Sequence, residues 1–385
     1  MTFWIQHGYG KGDKIARLVE TGLVSGGVLL SPGDEEPGSL AATARTSVDA
    51  NVRQLIDPQL YVHSIAGAFA RGHESHEIDF GEVSWFLSPT DISHHVEAIL
   101  RMNRAFNMTE YIAPAPYLAT FNDVWTPISL QYSRAFVEAS DRPTFISVIA
   151  EDFAFADWDS TSRWLDALTT IDAHGIYLIV GHTGRNYPFA WEPDRLANVL
   201  RVIYALSELN EYEVVWAYSD IAGLAGLSVG AEGFATGWYH SLRMWKQDKW
   251  IPQPGGHAAN PRVFLPSLLS PLVAMGEAQS VARTPLGPEV FGDTQLLSRF
   301  RQDDPSWGLT DAWNQHMFAL ATVATEFDSN ASIATRTGEF DRVVTEALSL
   351  LDRLERAGVA SLTTHRSRLT ALQRGVSKFA ADERI

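Results

Sequence analysis

Apolar positions along the chain come in short unbroken blocks, and polar positions gather at the ends of those blocks. Between residues 175 and 238 lie three such runs, 176–180 (IYLIV), 213–217 (EVVWA) and 227–230 (LSVG), each followed by a polar or glycine-rich cluster. Runs this short and continuous read as strands buried on both faces, the pattern of a parallel sheet. The same block recurs at 3–6, 27–30, 59–63, 110–115 and 144–149. Helical spacing fills most of the intervals, at 13–21, 39–55, 91–106, 127–139, 160–173 and 192–209. Eight strands alternating with helices predict an α/β chain whose residues 1–244 form a (β/α)8 TIM-like barrel.

The pattern then changes twice. Residues 245–307 are rich in proline, glycine and aspartate, which predicts an irregular segment wrapping the barrel or nearing its mouth. Residues 308–385 predict a C-terminal helical extension. Phe340, Val344, Ala347, Leu351 and Leu354 form one stripe, and Leu369, Leu372 and Val376 form another. Such stripes pack on each other and on the barrel, or serve an oligomer or partner interface.

Composition narrows the function classes. The chain of 385 residues has a formal net charge of −16, which argues against general nucleic-acid binding. It has no cysteine, which removes disulfides, thiolate metal sites and a cysteine nucleophile. No apolar run approaches about 18 residues and the first residues do not read as a secretory signal, so the expectation is a cytoplasmic protein with no membrane contact.

Candidate chemistry follows from the barrel expectation, since the carboxyl ends of barrel strands share one mouth. Glu151 directly follows the run 144–149 and suits a general base or metal ligand. His182 sits among small residues in 181–184 (GHTG) and suits proton transfer or metal binding. Asp220 follows 213–217 and is the third catalytic candidate. Arg185 could clamp an anionic group, and His7, His63, Glu232 and Trp238 complete the expected substrate-binding set. Glu151, His182, Asp220 and Glu232 together would supply four donors to a divalent metal. In residue type and strand order that set resembles the mouth of metal-dependent isomerase and endonuclease barrels. Residues 231–237 (AEGFATG) resemble the last strand of phosphate- or flavin-binding barrels. There is no phosphate-loop motif, no G-x-S-x-G elbow and no His-Glu-x-x-His.

The expected function is therefore an enzyme of hydrolase, lyase or isomerase type. It would use carboxylate and histidine acid–base chemistry, with or without a metal, on a small polar or ring-bearing substrate. One alternative is a non-catalytic scaffold docking through 308–385, in a homo-oligomer or with a protein partner. Another is a nucleobase- or nucleoside-handling barrel, motivated by Trp216, Phe234, Trp238, Tyr239 and Trp245 around the eighth strand.

Overall fold

The computed structural model describes residues 2–70, 72–76, 88–182, 187–251, 259–327 and 330–385. Among the described residues, nine strands form one parallel sheet. They are β1 (Thr2–Gln6), β2 (Gly27–Leu30), β3 (Arg53–Ile56), β4 (Tyr111–Ala113), β5 (Tyr117–Leu118), β6 (Thr144–Glu151), β7 (Gly175–Gly181), β8 (Glu213–Ala217) and β9 (Gly233–Thr236). The hydrogen-bonded order is β3-β2-β1-β9-β8-β7-β6-β4, with β5 pairing to the carboxyl half of β6. That is the circular order of a barrel, but no ladder joins β3 to β4. The sheet curls into a half-barrel and does not close, which corrects the TIM-barrel expectation.

The seam has a local cause. Pro58 closely follows β3, and Pro114 and Pro116 follow the three residues of β4. Proline brings no N–H to a ladder, so both edge strands stay short at their carboxyl ends. The central strands face no such limit. Seven residues of β7 pair in register with β6, from Phe145↔Gly175 to Glu151↔Gly181, and every residue of both strands is buried.

Two of the eight expected strands lie elsewhere. Residues 59–63 largely form a 3₁₀ turn (Leu60–Ser64), and the third strand is β3. Residues 227–230 close the short helix Ala222–Ser228, and the last strand is β9. This helix is buried throughout, so it carries no polar face to betray its period. Its small residues allow it to sink against the sheet: a Cβ on Gly223 would lie 2.3 Å from the Phe234 ring, and one on Gly226 2.7 Å from Trp216.

Residues 245–307 contain more regular structure than their composition predicts. They include an antiparallel hairpin of β10 (Arg262–Leu265) and β11 (Ser270–Val273), followed by several short helices. Three long helices end the chain. Leu309–Ala324 packs on β10, Ile333–Arg356 on Ala222–Ser228, and Thr363–Glu383 on the helix Pro193–Tyr204. Their buried side chains, Leu351, Leu369 and Phe379 among them, join the same hydrophobic cluster as the sheet. Among the described residues, no helix is long and apolar enough to cross a membrane.

Candidate functional site

The two ends of the half-barrel carry different ionic arrangements. At the amino end, Arg53 opens β3 and spans the seam. It donates to Glu110 Oε1 and Oε2 at 2.7 and 3.0 Å, and to Glu213 Oε1 and Oε2 at 2.6 and 3.2 Å. His174 Nε2 lies 3.2 Å from Glu213 and 3.6 Å from Glu110. Among the described residues, Glu110, His174 and Glu213 are the one grouping close enough to hold a metal. Arg53 already supplies the positive charge there, in the bidentate geometry that suits carboxylates.

Glu232 belongs to this amino end. It immediately precedes β9, and its carbonyl accepts the Thr2 N–H. Burial and the Glu213 carboxylate push its carboxyl up. Because the last strand begins at Gly233, Glu232 leads into a strand that it was expected to end. The four expected metal donors are therefore split between opposite ends of the sheet.

At the carboxyl end, the half-barrel interior holds Asp57, the residue after β3. Its Oδ2 accepts from Tyr61 Oη and Tyr177 Oη, both at 3.0 Å, and its Oδ1 from the Gln59 N–H at 3.0 Å. Burial pushes Asp57 up to about 6, against these hydrogen bonds and the charge of Lys249. Glu151, at the end of β6, accepts from Tyr117 Oη. Trp245 roofs this region. It stacks on Tyr117 at 5.2 Å, meets Tyr61 edge-on at 5.7 Å, and is fully buried. Gly181 makes room for it, since a Cβ there would lie 2.8 Å from the indole. Four residues on from Trp245, Lys249 lies over Trp250 at 4.1 Å and pairs with Asp34 at 3.0 Å.

Next to the roof, a small cleft of about 40 Å³ lies over the ends of β7 and β8. His182 and Asp220 both line it, with Tyr187, Phe189, Trp191, Arg243 and Arg368. Asp220 and Tyr218 hold left-handed backbone, φ +48° and +54°. A non-glycine residue there costs about 1 kcal/mol or more, a strain often found at functional sites. Asp220 Oδ1 accepts from His316 Nε2 at 2.7 Å and Thr236 Oγ1 at 3.3 Å, and its Oδ2 from Tyr187 Oη at 2.8 Å. Burial alone would raise Asp220, but His316, Arg243 and Tyr187 outweigh it and bring it down to about 2. Burial, with Arg243 beside it, brings His316 down to about 4, so a neutral imidazole donates to an ionised carboxylate. Arg243 is itself anchored, donating to the carbonyls of Gly237 and Trp238 at 2.8 and 3.0 Å and reaching Tyr187 Oη at 3.4 Å.

His182 faces the same cleft. It stacks on Phe189 at 3.8 Å and meets Trp191 edge-on at 4.7 Å. Burial, with help from Lys246, lowers it to about 3, so the ring is neutral. Its Nδ1 is buried without a hydrogen-bond partner.

The remaining expected residues take other positions. His7 Nδ1 accepts from the Ser31 N–H at 3.1 Å, and its Nε2 lies 3.4 Å from Glu35. His63 Nε2 lies 2.9 Å from His73 Nδ1, and His73 Nε2 lies 3.0 Å from the Pro58 carbonyl. The carbonyl can only accept, so His73 carries its proton on Nε2 and receives one from His63. Trp238 is fully buried and donates to the Tyr9 carbonyl at 3.1 Å. Arg185 lies outside the described residues.

Sequence reasoning passed over Asp57, Thr236, Arg243, His316 and Arg368. A signal existed for Arg368: His365 and Arg368 fall on the same buried stripe as Leu369, Leu372 and Val376. Charged residues on an apolar stripe need a reason to be there. His316 on Leu309–Ala324 is the same kind of case. No protein-family model matches the chain, and no curated protein matches it.

Proposed function

We propose that the protein is an enzyme of hydrolase, lyase or isomerase type, acting on a small polar or ring-bearing molecule in the Asp220 cleft. One observation carries the reading. A neutral imidazole with an unpartnered buried Nδ1, His182, and an ionised buried carboxylate, Asp220, line the same cleft at the carboxyl ends of adjacent parallel strands. Ligands of open parallel sheets bind at that edge.

In this reading His182 accepts the proton through Nδ1. Asp220, held ionised by its hydrogen bonds, supplies a fixed negative charge to the cleft that both residues line. Tyr187 Oη donates its one proton to Asp220 and, with Arg243 3.4 Å from the same oxygen, holds that carboxylate in place. The C-terminal helices contribute to this site, Arg368 by lining the cleft and His316 by its hydrogen bond to Asp220. That favours a catalytic role for residues 308–385 over a docking role. We assign no metal to the cleft, and the acidic net charge supports a soluble small-molecule enzyme over a nucleic-acid binder.

The test is turnover by the purified protein across a panel of small polar and ring-bearing compounds, followed by proton NMR. His182→Gln is expected to lower turnover of any converted compound about 100-fold or more, on the scale of general-base loss. A His182→Gln protein that works within about twofold of the native rate would defeat the assignment.

A further inference from the structure

Arg243 lines a second cavity besides the Asp220 cleft, and this one has a volume of about 310 Å³. Small-ligand sites occupy about 300–1,000 Å³. The cavity lies where the turn after β9 meets the start of β10 and the helix Leu309–Ala324. Arg262, at the first position of β10, is its second cation, and His240, Ser241 and Asn260 are its neutral polar groups. Among the described residues, no aspartate or glutamate lines it.

The two arginines are hydrogen-bonded but not neutralised. They lie 5.7 and 6.0 Å from the Tyr187 ring, so both guanidinium groups stand beside one phenol. Arg243 donates to the carbonyls of Gly237 and Trp238. Arg262 donates to the Pro271 carbonyl at 2.9 Å and, more loosely, to that of Tyr187 at 3.5 Å. Carbonyls satisfy N–H groups without cancelling a charge. Two carboxylates act on this region, Asp220 and Glu277, and a third arginine, Arg368, shares them. Asp220 is committed to His316, Thr236 and Tyr187. Glu277 lies 3.3 Å from His365 and accepts the Val273 N–H at 2.6 Å. Neither carboxylate lines the cavity. His240 adds no charge, because burial, with Arg243 and Arg262 beside it, brings it down to about 3. The lining therefore carries two positive charges on a chain of net charge −16. Sheltered cations normally find a counter-charge, because leaving water is costly.

The neutral polar groups are uncommitted too. Among the described residues, the side chains of His240, Ser241 and Asn260 make no hydrogen bond within the protein. Pro261, Leu309 and Ala312 form the apolar part of the lining. Tyr239 and Trp313 meet edge-on at 4.8 Å, and Lys14 lies over Trp313 at 5.1 Å. Those rings already have neighbours, and no stacking is asked of them. We infer that the cavity binds a small organic phosphate monoester, its phosphate held by Arg243 and Arg262 and its body against Pro261, Leu309 and Ala312. Such a phosphate brings nearly two negative charges at pH 7 and three acceptor oxygens, which matches the charge the lining lacks. Guanidinium forks suit phosphate oxygens. A monocarboxylate would leave one cation unbalanced. A dicarboxylate divides its two charges between separate groups, whereas these two cations gather at one ring. The site goes beyond the catalytic reading above and does not rest on it.

The experiment is calorimetric titration of the native full chain with glycerol 3-phosphate and phenyl phosphate. Glycerol serves as the neutral control, inorganic phosphate as the anion without a body, and succinate as the dicarboxylate. At least one ester is expected to bind saturably, at least tenfold more tightly than glycerol or succinate and more tightly than inorganic phosphate. Arg262→Met is expected to weaken that ester at least tenfold. Ser241→Asp is expected to do the same, because it sets a carboxylate in the lining at a half-buried position that holds no hydrogen bond. Succinate or inorganic phosphate equal to the better ester, or no ester binding at millimolar concentration, would each overturn the proposal. So would native affinity in either variant. Should Arg262→Met fail to fold, the Ser241→Asp titration decides. Binding is read without turnover, so failure here leaves the His182 test standing, and an inactive native protein that binds an ester would defeat only the catalytic reading.

Discussion

The two ends of the half-barrel handle buried charge in opposite ways. At the amino end, Arg53 makes four hydrogen bonds to two carboxylates, and His174 stands beside them. Charge and geometry close on themselves, and the cluster ties β3 to the chain entering β4 and β8, across the gap the ladder leaves open. At the carboxyl end, three arginines meet two carboxylates, Arg368 has no acidic partner among the described residues, and His182 Nδ1 is unmatched. Both ends are rich in ionisable groups, so counting such groups does not separate them. Whether the set is saturated does. A saturated cluster fits a structural role, whereas an unsaturated one at the ligand-binding edge of a parallel sheet fits a recognition role.

The sharpest break in this comparison is expected at Asp220. Asp220→Ala would remove the acceptor of three hydrogen bonds and the carboxylate whose charge acts on both Arg243 and Arg368. Removing one partner from a buried charged set costs about 3–5 kcal/mol. Urea denaturation of the variant should show a loss of that order, and a loss under about 1 kcal/mol would mean the cleft's charges are far less coupled than their spacing indicates.

Next in size is Arg53→Met. It strands Glu110 and Glu213 against each other, but all three side chains retain some contact with water, so screening trims the loss to about 2–3 kcal/mol. Part of the loss should be recovered at low pH, where protonating either glutamate relieves the repulsion. An equal deficit at pH 4 and pH 7 would assign the effect to packing against Trp4, over which Arg53 lies at 5.1 Å.

How much of this contrast was legible beforehand depends on where each strand ends. Residues 27–30 and 213–217 are strands as the apolar blocks predict, and Asp220 follows from the latter directly. The third and eighth strands are another matter. Arg53–Ile56 is four residues opening on a charge, too short to show a period, while the more apolar 59–63 next to it is a 3₁₀ turn. That displacement hid Asp57, whose place at a strand end follows only once the strand is put at 53–56. The helix Ala222–Ser228 is buried on every side, and a fully buried helix of seven residues looks like a strand in sequence. Misplacing the last strand by one element carried Glu232 from one end of the sheet to the other. His316 reaches Asp220 and Arg368 reaches the cleft from helices almost 100 and 150 residues beyond Asp220, and no local pattern encodes a contact that distant.

Asp57 provides a third point of comparison, a buried carboxyl with neither an arginine nor a cleft. Its folded value near 6 lies above the ordinary 3.8, so the native state keeps a proton that the unfolded chain releases between about pH 4 and pH 6. Stability from this group is complete below about pH 4 and lost as pH rises through 6, a decline of about 3 kcal/mol. Asp220, held near 2, has the opposite sign: its contribution is present above about pH 4 and lost as pH falls toward 2. Urea midpoints at pH 4, 5, 6 and 7 should therefore show a falling component that disappears in Asp57→Asn. An unchanged slope in that variant would place the titration elsewhere.

The smallest expected change is the one that sharpens the contrast most. Arg368→Met makes the same substitution as Arg53→Met, at the other end of the molecule. Both remove a guanidinium and keep an unbranched apolar stem of similar length. At Arg53 the change strands two carboxylates. At Arg368 it strands none, because Asp220 keeps its bonds to His316, Thr236 and Tyr187, and Glu277 keeps its contacts with His365 and Val273. The variant also no longer has to hold out of water an ion that makes no ion pair among the described residues. Those two facts together predict a change within about 1 kcal/mol of native, and of either sign, since replacing a buried ion with an apolar side chain is often neutral or stabilising. Parallel urea melts of the two variants give the answer directly. Similar losses at both positions would mean that Arg368 is balanced within the fold after all, and the difference between a closed cluster and an open one would vanish with it.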